Sequence, residues 1–447
     1  QIVLRTSLFT LLVMFFWGCT SSRGYQTSDV SYAYKSSELA PRPEFVIHHI
    51  NDDLTTVHYR INSQDLLYMR SNEDNRYRSN FSIRYELIPS FEDVTVLDSG
   101  YINVEDVSDK PPLKALVGKF ELNTSEDDRK KFVLRLVMTD LNRQVEFQNF
   151  LRVEKVSRRS NNYFLLTDTL GNVIFKNHIA THAPFRLSYS GGPAKEYYVS
   201  YYSRKFPVAL PPYSSINEES FELKPDTTFL VPANQPLAFD DSGFYHFRLD
   251  TNSWDGYTVY SFYDQFPFIA KVNHLFPPLR YITTRREFEN LESLQNNPEK
   301  LKLAVDDFWL NRTGSVERSK ILLEAFYRRV QEANLYFSSY LEGWKSDRGI
   351  IYIIYGPPSK VYRSSSGESW IYGDENSSLS YYFNFMRVKN PFTDNDYAMN
   401  RMPAYRYGWG QAIESWRNGH IYNSKDIERE QNEQDQNWYH QRPPYWY

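Results

Sequence analysis

Apolar side chains recur at every second position through the first part of the chain, and this period gives way to a helical one after Pro278. Runs such as Phe81-Ser82-Ile83-Arg84-Tyr85-Glu86-Leu87 and Phe132-Val133-Leu134-Arg135-Leu136 alternate a core face with a wet face, the pattern of half-buried strands. Turn-forming clusters at 71–75 and 123–128 separate them. An antiparallel β-sandwich is therefore expected over residues 44–156. Further alternating runs at 163–167, 197–202, 243–249 and 257–262 predict a second β-sandwich over 157–278, closed by Pro277-Pro278 because proline removes ladder donors.

Beyond Pro278 the spacing becomes helical. Phe288, Leu291 and Leu294 share one face. Leu301, Val305, Phe308 and Trp309 mark a helix from Pro298 to about Asn311. Leu322, Ala325, Phe326, Val330, Ala333 and Phe337 stripe a longer one from Val316 to about Tyr340. The run Ile350-Ile351-Tyr352-Ile353-Ile354-Tyr355 then reads as a strand leaving Gly349 and stopped by Gly356-Pro357-Pro358. Strands at 369–372 and 380–385 follow. The expected fold class is multidomain: two antiparallel β-sandwich domains, then a C-terminal α+β domain with a helical segment over 279–424, and a polar tail at 425–447.

One cysteine occurs in 447 residues, Cys19. A disulfide framework, a CxxC pair and a multi-cysteine metal site are excluded. Residues 8–17 form an apolar run too short to span a bilayer, preceded by Arg5 and followed by Gly18 and Cys19. This resembles a bacterial lipobox, with Phe16 where Leu is commoner. It implies a signal peptide at 1–18, lipidation of Cys19, and a tether over 19–43. Triacylation would anchor the chain stably to a membrane. The residues behind Cys19, Thr20-Ser21-Ser22-Arg23-Gly24, carry no acid, which argues for the periplasmic face of the outer membrane over the cell surface. Net charge is −4, without the basic excess of a nucleic-acid binder.

The most specific string is Gly343-Trp344-Lys345-Ser346-Asp347-Arg348-Gly349, with a helical segment upstream and Glu368-Ser369-Trp370-Ile371-Tyr372 downstream. In order and spacing these resemble the GWxTD domain of Bacteroidetes proteins, over roughly residues 300–375 and more weakly to about 420. Ser346 stands where the family has Thr and keeps its hydroxyl. The resemblance implies an envelope lipoprotein and carries no enzymatic activity with it. From the residues alone, the motif reads as a helix-to-strand corner. Gly343 would permit a left-handed turn, Trp344 would anchor it, and Ser346 and Asp347 would accept backbone amides. Arg348 would pair with Asp347 or Glu342. Gly349, Gly356 and Pro357 would bound the strand. The alternative reading makes Trp344, Asp347 and Arg348 the lining of a partner groove.

Other chemistry is sparse. His178 and His182 have zinc-compatible spacing but fall in strand and loop with no carboxylate partner, so no metal and no cofactor are expected. His48 and His49 are neighbours on a strand and point to opposite faces. No GxSxG or P-loop string occurs. Asp168-Thr169-Leu170 and Asp226-Thr227-Thr228 resemble the O-glycosylation pattern of Bacteroidetes envelope proteins, with Thr169 and Thr227 as acceptors. Aromatic residues make up 17% of the chain. They either fill wide β cores or present rings to a partner or a sugar. The functional expectation is a non-catalytic binding or structural subunit of an envelope complex, with outer-membrane or periplasmic proteins as partners. The alternatives are a glycan-binding lipoprotein and a hydrolase sited in the C-terminal domain.

Overall fold

The computed structural model describes residues 29–35, 41–93, 95–124, 130–203, 206–215, 224–376 and 380–429. Cys19, the signal peptide and most of the polar tail lie outside these residues.

The first alternating region gives β1 (Glu44–His49), β2 (Leu54–Asn62), β3 (Met69–Arg70), β4 (Tyr77–Ile88), β5 (Asp98–Ser108), β6 (Ala115–Asn123), β7 (Lys131–Asp140) and β8 (Val145–Glu154). One antiparallel sheet runs β1-β2-β6; the other is centred on β4 and β7. Val57, Tyr59 and Ile61 from the first sheet and Phe81, Ile83, Leu134 and Leu136 from the second share one core. The period-two pattern puts all of these on facing surfaces.

The next region gives β9 (Phe164–Thr167), β10 (Phe185–Tyr189), β11 (Glu196–Tyr202), β12 (Thr227–Pro232), β13 (Pro236–Leu237), β14 (Gly243–Arg248) and β15 (Tyr257–Ser261). They form a three-stranded sheet, β13-β10-β9, and a four-stranded sheet, β12-β11-β14-β15. These two also share a core, around Phe185, Leu187, Tyr197, Val199, Phe247 and Val259.

The C-terminal part holds α1 (Arg285–Ser293), α2 (Pro298–Thr313), α3 (Val316–Phe337), α4 (Asp347–Tyr355) and α5 (Arg406–Arg417). Between α4 and α5 lies the antiparallel sheet β16 (Lys360–Arg363), β17 (Gly367–Tyr372), β18 (Tyr381–Arg387) and β19 (Tyr397–Met399). The start signals are local. Thr284 and Glu287 make a reciprocal capping box on α1, and Asn297 caps α2 with Pro298 at its first position. Gly314 stops α2 at φ 64°.

Two expectations are corrected. The run 349–355 is helix, not strand. Ser346 caps it, its side chain accepting from the Gly349 amide, and all nine residues of α4 are buried. A helix apolar on every side is one buried on every side. A short apolar run of this kind fits a buried strand equally well by periodicity. Nor is the stretch to Pro43 a spacer throughout. Residues 29–35 dock on the C-terminal part, with Val30 and Tyr34 inside its core.

Several histidines are buried uncharged. His246 lies between Thr258 Oγ1 and the Trp254 carbonyl, both at 2.9 Å. Burial lowers its pKa to about 3. Burial lowers His49 to about 4, with Lys155 adding to it, and lowers His48 to about 4, helped by His58. Their unfolded value is near 6.5. Between pH 6.5 and 4 the unfolded chain binds protons that the folded chain refuses, so stability falls as pH falls through that window. The urea midpoint, followed by circular dichroism, is expected to be level above pH 7 and to drop steadily from about pH 6.5 to 4. A flat midpoint across that range would contradict the neutral histidines.

Candidate functional site

The motif residues are brought together at the N-terminal end of α4, and their side chains turn inward. After α3 ends at Phe337, Gly343 opens a one-turn 3₁₀ segment, Gly343–Lys345. It does not take the left-handed conformation expected of it. Its role is close approach: a Cβ there would collide with the Ala333 carbonyl oxygen on α3. A Cβ on Gly349 would likewise strike the Gly343 carbonyl. Asn334 on α3 accepts from the Trp344 amide at 3.1 Å, and Ser338 Oγ accepts from the Gly343 amide at 2.9 Å. Trp344 is buried edge-on to Tyr281, whose hydroxyl donates to the Trp344 carbonyl at 2.8 Å. Ser346 Oγ donates to the Gly343 carbonyl at 2.7 Å while capping the helix.

The charged members find partners that sequence spacing did not suggest. Asp347, 5% exposed, accepts from the Met399 amide at 2.6 Å and pairs with Arg401. An acid in the first turn of a helix also complements its dipole. Glu342 pairs with Lys345 at 2.6 Å. Arg348, 2% exposed, therefore pairs with neither Asp347 nor Glu342. It lies over the Tyr397 ring at 3.9 Å, donates to Asn395 and reaches Glu368 at 3.5 Å.

Glu368 on β17 is the centre of this network. It accepts from Tyr34 at 2.9 and 3.0 Å, from Arg363 Nε at 2.9 Å and from Trp370 Nε1 at 2.9 Å. Burial alone would raise its pKa, but Arg363, and then Arg348, hold it down to about 2. At the other end of α4, Gly356 turns the chain at φ 79°. Arg329 donates there to the carbonyls of Ile353 at 3.0 Å, Ile354 at 3.1 Å and Tyr422 at 2.8 Å. Burial lowers its pKa to about 10, which leaves it charged at neutral pH. The Pro357 carbonyl accepts from Ser424 Oγ at 3.3 Å. Sequence reasoning quoted Glu368 only as part of a string and missed Arg329 and Tyr34. A glutamate between Gly367 and a buried-strand pattern was the available signal for the first.

Beside the motif is a cleft of about 500 Å³. One wall is the β14–β15 hairpin with Trp254 and Asp255, together with Asn177. The other includes Asn334, Ser338 and Asn395, the side chains that hold Trp344, Gly343 and Arg348. Of its carboxylates, Glu154 pairs with Lys131 at 3.5 Å and Asp394 with Arg387. His178 also lines it; burial, then Lys176, lowers its pKa to about 4. His182 faces Asp240 at 2.9 Å, away from a shared site with His178. Among the described residues, no three His, Cys, Asp or Glu side chains are grouped to hold a metal ion. No helix there is long and apolar enough to cross a membrane. Thr169 and Thr227 are both exposed.

Both walls of the cleft fall largely inside a span that resembles a known domain. Residues 243–418 match the GWxTD domain family model. The chain thus carries a GWxTD domain, and the match starts at β14, well ahead of the helices where the sequence placed it. No curated protein matches the chain.

Glu368→Gln removes the charge that balances Arg348 and Arg363. It is expected to cost about 3–5 kcal/mol of stability, because two guanidiniums stay buried. Arg285→Ala, on an exposed i,i+4 pair, should change little. The Glu368 contribution is complete above about pH 4.5 and is lost as pH falls through about 2. Urea unfolding at pH 7 checks the first pair. Equal midpoints would refute the network's role.

Proposed function

We propose that this chain is a lipoprotein of the cell envelope, held on the periplasmic face of the outer membrane through Cys19, that acts by binding and not by catalysis. Two β-sandwich modules, from the paired sheets β1–β8 and β9–β15, accompany the GWxTD domain, which shares β14 and β15 with the second. The cleft beside the motif is its contact surface for another envelope protein. What supports this is the state of the motif's charges. Asp347, Arg348 and Glu368 are buried and paired with neighbouring side chains, so they rigidify the packing beside the cleft, while Arg348 and Glu368 also border a second cavity of about 960 Å³. The cleft itself is lined by amides, hydroxyls and aromatic edges together with Lys176, Asp255 and Asp394, a mixed lining that suits recognition. Asn161 and Asn177 beside Trp254 give a glycan ligand a second claim on the same cleft. Thr169 and Thr227 are proposed as O-glycan acceptors.

A photo-reactive residue replacing exposed Asp255 is expected to give one discrete cross-linked product in native membranes. The same group at exposed Leu113, outside the cleft, should give none. Equal labelling at both positions would overturn the cleft as contact surface. Cys19→Ala is expected to move the protein from the membrane to the soluble fraction, and retention on the membrane would overturn the anchor.

A further inference from the structure

Residues 29–35 precede the GWxTD match by more than two hundred positions, yet they complete its packing. Asp29 bridges antiparallel to Tyr362, extending the sheet beyond β16. Asp29 Oδ1 accepts from the Val361 amide at 2.9 Å, and the Val30 amide donates to the Val361 carbonyl at 2.8 Å. Tyr34 is buried, its ring 5.2 Å from Trp370 and 5.4 Å from Phe337. Its hydroxyl donates to Glu368 and accepts from Arg363 at 2.6 Å; its carbonyl accepts from the Tyr352 hydroxyl at 2.9 Å. Lys35 Nζ donates to the Ser359 carbonyl at 3.0 Å.

We infer that this segment is a strap that fixes the GWxTD domain as the membrane-proximal body, with the sheet edge at β16 turned to the lipid headgroups. The inference rests on lipidation of Cys19. Only ten residue steps join Cys19 to Asp29, so the domain's attachment point lies within roughly 35 Å of the lipid even at full extension. A free tether running to Glu44 would reach about 85 Å and let the domain swing away. The strap has bonds on both backbone and side chain, so tension from the anchor is taken up at β16, and at β8 where the Tyr32 hydroxyl donates to Gln148 Oε1 at 2.9 Å, and not at β1. Docking also orients the domain, since the chain must arrive at one edge of one sheet.

The test uses the full lipidated chain in phosphatidylethanolamine vesicles bearing a headgroup-linked acceptor dye. A donor is placed through Asn376→Cys, an exposed position next to Glu375, which pairs with Lys360 on β16. The acylated Cys19 has no free thiol, so labelling is specific. A twenty-residue Gly/Ser insert between Gly24 and Tyr25 lengthens the link before the strap. The same insert between Ser37 and Glu38 lengthens it after. Loop insertions of this kind cost little stability. The first insert is expected to cut energy transfer at least twofold, and the second to leave it unchanged. An equal fall with both inserts, or no fall with either, overturns the strap. Vesicle flotation of each protein, read beside Cys19→Ala, separates this from failure of the anchor. Flotation that does not depend on Cys19 overturns the anchor and the strap together; flotation that does, with transfer blind to the inserts, overturns the strap alone.

Discussion

The C-terminal half is organised around a helix buried along its whole length. All nine residues of α4 are buried, which removes solvent as a partner for the amides at one end and the carbonyls at the other. Six of those residues are Ile or Tyr, and burying each is worth roughly 1.5–3 kcal/mol on an area basis. That gain survives only if both helix ends are satisfied inside the protein. At the start, Ser346 and Asp347 accept for the helix and from its neighbours. At the finish, Arg329 and Trp416 donate to its last carbonyls. The motif is thus the entry cap of a buried helix. Its glycines are needed because a helix so enclosed brings backbone against backbone.

The buried charges follow from the same enclosure. A lone carboxylate at Glu368 would be expensive in this environment. The Arg363 guanidinium, a phenol and an indole hydrogen-bond it, the Arg348 guanidinium stands 3.5 Å away, and the set then has an excess positive charge spread over Arg348 and Arg363. Those guanidiniums lie over the rings of Tyr397, Phe337 and Tyr34, whose faces accommodate cations. The high aromatic content of the chain finds one of its uses here. Tyrosines such as Tyr34 and Tyr352 fill the core while their hydroxyls close hydrogen-bond networks, a task that phenylalanine could not perform.

Most of the β pattern was legible, because period-two alternation at Phe81–Ile83–Leu87 or Phe132–Leu134–Leu136 has no helical counterpart. The helices α1, α2 and α3 were legible from stripes and caps within one to three residues of their ends. The run 350–355 was misread because six apolar residues contain no polar position to reveal a period. The decisive cue lay in its flanks. Ser346-Asp347 before it and Gly356 after it are the marks of a helix start and stop. Partners of the motif were less accessible still. Arg348 meets Glu368 and Asn395, and Asp347 meets Arg401, through a sheet whose return depends on tertiary packing. Tyr34 could not be assigned from sequence at all, since nothing local distinguishes a docked strap from a spacer.

The edges of the GWxTD match and the edges of the packing unit do not coincide. The match begins with β14, yet β14 pairs with β11, which lies outside the matched span. The match ends at residue 418, yet Arg329 completes its bonding on the Tyr422 carbonyl. Glu368 needs Tyr34, from far upstream. A segment cut to 243–418 would therefore expose one edge of a central strand, leave a guanidinium short of an acceptor, and strip a donor from a buried carboxylate. Each of these losses is of the kind a folded interior tolerates poorly. The smallest self-sufficient body containing the motif is accordingly larger than the domain that similarity delimits. It includes the strap at 29–35 and the sheet that β14 joins.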